Sequence, residues 1–100
     1  MFNLLGKLQE AKQQMEDVKK RMEGVEISGA AGDGAVKVTV TGARQVTNLD
    51  IAGHLLEPGK KEELEDLLLT ALNRALKEAE EAWEKEMKGV AGGLLGGGLF

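Results

Sequence analysis

Apolar residues near the start of the chain recur at Leu4, Leu8, Ala11, Met15, Val18, Met22 and Val25, in alternating steps of four and three. That spacing keeps one stripe of a helix apolar and forms a heptad seam, the pattern of a helix that packs lengthwise against another. Asn3 is placed to cap its N-terminus, and Gly24 stands where the last turn ends. A helix over 4–23 is predicted, roughly 30 Å long.

The period then changes from that of a helix to that of a strand. Val36, Val38 and Val40 alternate with Lys37, Thr39 and Thr41, as a half-buried strand requires. Strands are predicted over 25–28, with Val25 and Ile27 flanking Glu26, over 35–41, and over 44–51. In the third, Thr47, Leu49 and Ile51 fall on one side and Val46, Asn48 and Asp50 on the other. Gly29, Gly32 and Gly34 read as the loop between the first two strands, and Gly42 as a tight turn before the third. Three short strands in succession imply an antiparallel meander.

Helical spacing returns with Leu64, Leu68, Leu72, Ala75, Ala79 and Trp83. Pro58 suits the first turn of this helix, and Glu62, Glu63, Glu65 and Asp66 complement its N-terminal dipole, as Lys85 and Lys88 do at the other end. A helix over 59–88 is predicted, roughly 45 Å long. A compact domain of this size has a radius of gyration near 13 Å, so such a helix projects beyond the body and needs a partner. Residues 89–100, GVAGGLLGGGLF, read as a flexible glycine-rich tail, because glycine loses the most backbone freedom on ordering. The expected protomer is α+β, in the order α-β-β-β-α, with a small antiparallel sheet and two long helices forming a single domain over 1–88.

Composition narrows the function. At 100 residues the chain is one small domain, which buries about two-thirds of its unfolded surface and gains from self-association. With no cysteine there is no disulfide, thiolate zinc site or thiol nucleophile. The apolar stretches are too short to span a bilayer, and MFNLLGKLQEAK has no basic region before a long apolar run, so a cytoplasmic protein without a signal peptide is expected. The net charge of −4 is the wrong sign for a simple polyanion binder, but it is unevenly spread: residues 1–25 carry +1, 26–59 carry −2 and 60–100 carry −3.

Enzymatic motifs are missing. GAAGDGAVK (29–37) lacks the Gly-Lys-Ser/Thr ending and following helix of a phosphate loop, and the third glycine of a dinucleotide fingerprint, so it reads as a hairpin loop. His54 is the only histidine and Ser28 the only serine. Asp50 and Glu57 near His54 have no spacing diagnostic of catalysis or metal binding. No enzyme, cofactor, metal or small-molecule substrate is expected.

Charge on the first helix is more informative. With Leu8, Met15 and Met22 at a, Lys7 and Arg21 occupy g positions and Lys12 and Lys19 occupy e positions, so four basic residues border the seam. They suit pairing with the acid-rich second helix, the C-terminal dipole in the case of Lys19, Lys20 and Arg21, or contact with nucleic acid. Trp83 lies in line with Ala75 and Ala79, which favours core or interface packing over base stacking, and the methionines at 15, 22 and 87 read as apolar filling.

The ordered combination LQEAKQQMEDVKKRME, GDGAVKVTVTGARQVTNLDI, LLEPGKKEELEDLLLTALNRALKEAEE and a glycine-rich end closing on Gly98-Leu99-Phe100 resembles the YbaB/EbfC family of bacterial nucleoid-associated proteins over nearly the whole chain. The resemblance implies an intertwined, tweezer-like homodimer that binds double-stranded DNA in the cytoplasm, at the nucleoid, with a role in chromosome organisation or gene regulation. By position, it makes Lys7, Lys12, Lys19, Lys20, Arg21, Arg74, Lys77, Lys85 and Lys88 the candidate DNA-binding residues. The tail carries no lysine or arginine and adds no electrostatic clamp. The competing reading is a protein-interaction module whose helical arms hold a protein partner.

Overall fold

Helix α1 (Leu4–Glu23) is built almost entirely of Leu, Gln, Glu, Lys, Met and Arg, which lose little freedom in a helix, and it spans the predicted residues. In the computed structural model, residues 4–98 are described, with side chains over 4–92. Asn3 therefore lies outside the described residues. The chain leaves α1 through Gly24, whose amide donates to the Arg21 carbonyl, while the Val25 amide donates to that of Met22.

Strands β1 (Glu26–Ala31), β2 (Val36–Thr41) and β3 (Val46–Ile51) form an antiparallel sheet in sequence order. The first hairpin turns on Asp33-Gly34, with φ of 55° and 87° and an Ala35 amide to Gly32 carbonyl bond of 3.1 Å. Gly32 before them is left-handed as well, at 64°, and the Asp33-Gly34 pair matches the twist of the flanking strands, which is why Asp-Gly recurs in such turns. The glycine-rich segment is thus a hairpin, but β1 is longer than the predicted 25–28 and takes Gly29 into the strand, opposite Val38.

Gly29 is in the strand for a packing reason. A Cβ there would lie 2.3 Å from the Ala71 carbonyl oxygen and 2.6 Å from the Ala75 nitrogen. Helix α2 (Lys61–Gly98) therefore crosses the sheet at backbone contact distance, on a row of alanines spaced four apart: Ala71, Ala75 and Ala79, all fully buried. Val36, Val38, Val40 and Leu55 complete the core, with Ile27, Leu64, Leu67, Leu68, Leu72 and Leu76 around it. The opposite sheet face carries Ser28, Lys37, Thr39, Asn48 and Asp50, so the strands alternate apolar and polar as a one-sided sheet requires.

Strand β2 starts at Val36 and β3 at Val46, not at the predicted 35 and 44, and α2 differs from the sequence reading at both ends. Pro58 precedes α2 in a turn, Glu57–Lys60, where Gly59 has φ of 87°; the helix starts at Lys61 because that left-handed residue cannot be helical. At its other end α2 passes residue 88 and continues to Gly98, about 57 Å of helix. Each glycine weakens a helix by about 1 kcal/mol without forbidding it, and an existing helix gains one hydrogen bond per added residue. Leu99 and Phe100, the end of the expected tail, lie outside the described residues. In β3, a register shift beside Thr39 and Val40 places Val46 opposite Val40 and Leu49 opposite Val38. Val46 consequently shares the apolar face with Leu49 instead of lying on the reverse side.

The molecule measures 70 × 20 × 16 Å, so the long helices do project beyond the sheet. Gly29→Ala should lower unfolding stability by about 2 kcal/mol or more in urea, because the new methyl meets backbone that cannot step aside. Gly53→Ala, with open space around it, should change stability by less than about 0.5 kcal/mol.

Candidate nucleic-acid interface

Beyond the sheet, α1 lies antiparallel on the distal half of α2. Gln14, Asp17, Val18 and Arg21 line one side of the junction with Glu86, Gly89 and Val90, and Lys12, Met15, Glu16 and Lys19 line the other with Trp83. The predicted seam is only half used. Val18 and Met22 are buried, whereas Leu4, Leu8 and Met15 remain 58%, 60% and 50% exposed. Two helices without a third layer cover only the narrow strip where they touch. Met22 is anchored by Gly42, where a Cβ would stand 2.6 Å from its Cε; Gly42 matters as a site of close approach as well as a turn.

Lys7, Lys12, Lys19, Lys20 and Arg21 all lie exposed on α1, and Arg74, Lys77, Lys85 and Lys88 on α2. They do not form one patch. Lys12 and Lys19 meet Trp83 across the helix junction. Arg21 forms an ion pair with Glu86, so one of the basic residues beside the seam does pair with the acidic second helix. Arg74 donates from Nη1 to the Ala30 carbonyl at 2.7 Å, tying α2 to the end of β1 beside the hairpin. At 100° per residue, Arg74, Lys77, Lys85 and Lys88 share one sector of about 80°, centred about 120° around α2 from Ala75, with Glu81 inside it and Glu84 at its border. The stripe is therefore mixed in sign.

Of the two packing places that its sequence position allows, Trp83 takes the junction of the helices and not the core. It is half-buried, outside the core cluster, and forms one wall of an open groove of 290 Å³ with Lys12, Met15, Glu16 and Lys19. The apolar stripe of α2 drifts around the helix between Ala79 and Trp83, which moves the indole from the sheet to the α1 side. The role of Arg74 carries no sequence signature, since its acceptor lies 44 positions away, whereas the pairing of Arg21 follows the charge pattern of the two helices although its partner is 65 positions away.

His54, Asp50 and Glu57 are exposed, with His54 in the single 3-10 turn Gly53–Leu56. No group of three or more potential metal ligands occurs among the described residues. No described helix is long and apolar enough to cross a membrane.

A family profile described as the YbaB/EbfC DNA-binding family matches residues 1–94. A nucleoid-associated protein of Clostridium acetobutylicum is 43% identical over 94 residues, covering 94% of this chain and 84% of that protein. A nucleoid-associated protein of Clostridium kluyveri is 42% identical over 100 residues, covering 100% of this chain and 88% of that protein. The crystal structure of an uncharacterized protein from Helicobacter pylori superposes with a TM-score of 0.69 at 27% identity, covering 78% of this chain and 90% of that one.

The two arginines should respond differently to substitution. Arg74→Gln should cost about 1 kcal/mol of stability in urea unfolding, because a charge-assisted hydrogen bond to backbone is removed. Arg21→Gln, which breaks an exposed ion pair, should cost less than that, between about 0 and 1 kcal/mol.

Proposed function

The chain belongs to the YbaB/EbfC DNA-binding family, and from that premise we propose that it binds double-stranded DNA as a homodimer, without catalysis, mainly through phosphate contacts. The single observation that carries the mode of binding is the exposure of basic side chains scattered along two projecting helices. Phosphates are the one feature of duplex DNA within reach of such scattered lysines. Lys7, Lys12, Lys19 and Lys20 on α1, and Lys77, Lys85 and Lys88 on α2, are the proposed contacts. Arg21 and Arg74 contribute charge while also holding the arms in place. The workplace is the nucleoid in the cytoplasm, and the role is chromosome organisation or gene regulation.

Dimerisation is supported by the apolar surface one chain leaves uncovered. Val46 and Leu49 are 50% and 51% exposed on the apolar face of an edge strand, and Leu56 and Leu69 are exposed as well. An unpaired apolar edge of this kind is satisfied by another strand or sheet. A dimer also doubles the number of basic arms presented to one duplex.

The acids interspersed on α2 set the strength. Each protomer offers few unopposed cations, so affinity is weak per dimer and falls steeply with salt. Titration of fluorescent duplexes across salt concentrations should give a linear log–log dependence that is similar for unrelated sequences. Lys19→Gln with Lys20→Gln should flatten the slope by about one for each phosphate no longer neutralised. Affinity that ignores salt, or weakening confined to one sequence, would contradict phosphate-dominated binding.

A further inference from the structure

The groove beside Trp83 is not explained by duplex binding. Its walls come from two helices: Lys12, Met15, Glu16 and Lys19 from α1, and the half-buried indole from α2. Most of the groove surface is apolar, and the side chains of two exposed lysines help to line it. Lys12 and Lys19 are seven residues apart, about 10 Å along the helix axis, with Glu16 between them at four and three residues. Glu16 offsets one of the two charges, leaving the rim net positive in a protein of net charge −4. An aromatic face bordered by cations suits a flat, apolar group carried on an anionic backbone.

We propose that this groove binds an unpaired base of single-stranded nucleic acid, stacked on Trp83, with the flanking phosphates held by Lys12 and Lys19. Stacking on an aromatic side chain tolerates any base because every base has a π-face, and it is available only where the base is out of a duplex. The two lysines complement an anionic ligand, and the apolar, indole-lined wall favours a planar nucleobase over the carboxylates of an acidic peptide. The groove volume of 290 Å³, near the lower end of small-ligand sites, accepts one ring system and not a folded element. The inference rests on the nucleic-acid reading above and adds a second form of ligand: an opened strand held between α1 and α2, which shares Lys12 and Lys19 with the duplex but alone engages Trp83.

Trp83 is the only tryptophan, so the site reports on itself. Its fluorescence is followed while full-length protein is titrated with oligothymidylate, with a random duplex of equal length, and with oligoglutamate, alongside anisotropy of labelled DNA. The proposal expects strong quenching by oligothymidylate, little by duplex or oligoglutamate, and about ten-fold weaker oligothymidylate binding in Trp83→Leu with duplex affinity unchanged. Trp83→Phe, which keeps an aromatic face, should retain most of the binding and guards against a folding defect in the leucine variant. Duplex binding by anisotropy without oligothymidylate quenching overturns the groove proposal and leaves the duplex reading intact. Binding of neither form overturns both. Equal quenching by oligoglutamate, or an emission shift that follows protein concentration alone, assigns the groove to an acidic peptide or to a second copy and overturns the proposal.

Discussion

The structure depends on how closely α2 approaches the sheet at Gly29. The missing side chain in β1 and the alanine row at 71, 75 and 79 let two backbones meet, with a hypothetical Cβ only 2.3 Å from the helix carbonyl. Leucines at 64, 67, 68, 72 and 76 straddle that line of contact and close over the flanking valines. One helix can therefore cover a small three-stranded sheet, but only its β1–β2 side. Everything functional about the molecule lies in what that arrangement leaves uncovered.

Two surfaces are left. The first is the apolar face of β3, where the register shift adds Val46 to Leu49 and both remain half-exposed. The second is the distal pair of helices, where α1 and α2 have only each other and where the basic residues and Trp83 are displayed. In the proposed function a second copy covers the first surface and nucleic acid takes the second. The negative net charge is consistent with this division because the acids weaken the grip without blocking it. Arg21 is held to Glu86 by an exposed ion pair of the sort that contributes little, so a phosphate competes for it on nearly equal terms.

Much of the fold was legible in the sequence because periodicity survives packing. The heptad of α1, the alternation of Val36, Val38 and Val40, and the return of helical spacing after Pro58 identify every major element in order. Boundaries failed where one local signal competed with another. Gly29 looked like loop because close backbone approach and turn formation both call for glycine, and Pro58 looked like helix because it suits either a first helical turn or the second place of a β-turn. Of the alanine row in TALNRALKEAEEA, Ala75 and Ala79 fall on the apolar stripe legible in the sequence, while Ala71 does not stand out, because a small residue carries little hydrophobic weight beside leucines.

The candidate site was less legible. Lysine positions can be read from the chain, but which of them share a surface depends on how α1 lies on α2, and that is set by Met22 against Gly42 and by Val18 at the junction. Sedimentation velocity at micromolar concentration shows whether a second copy covers the apolar surface left by α2. A species of twice the single-chain mass is expected, reduced to one chain by Val46→Asp with Leu49→Asp while helical circular dichroism persists; a wild-type monomer, or a dimer indifferent to those substitutions, would rule that dimer out.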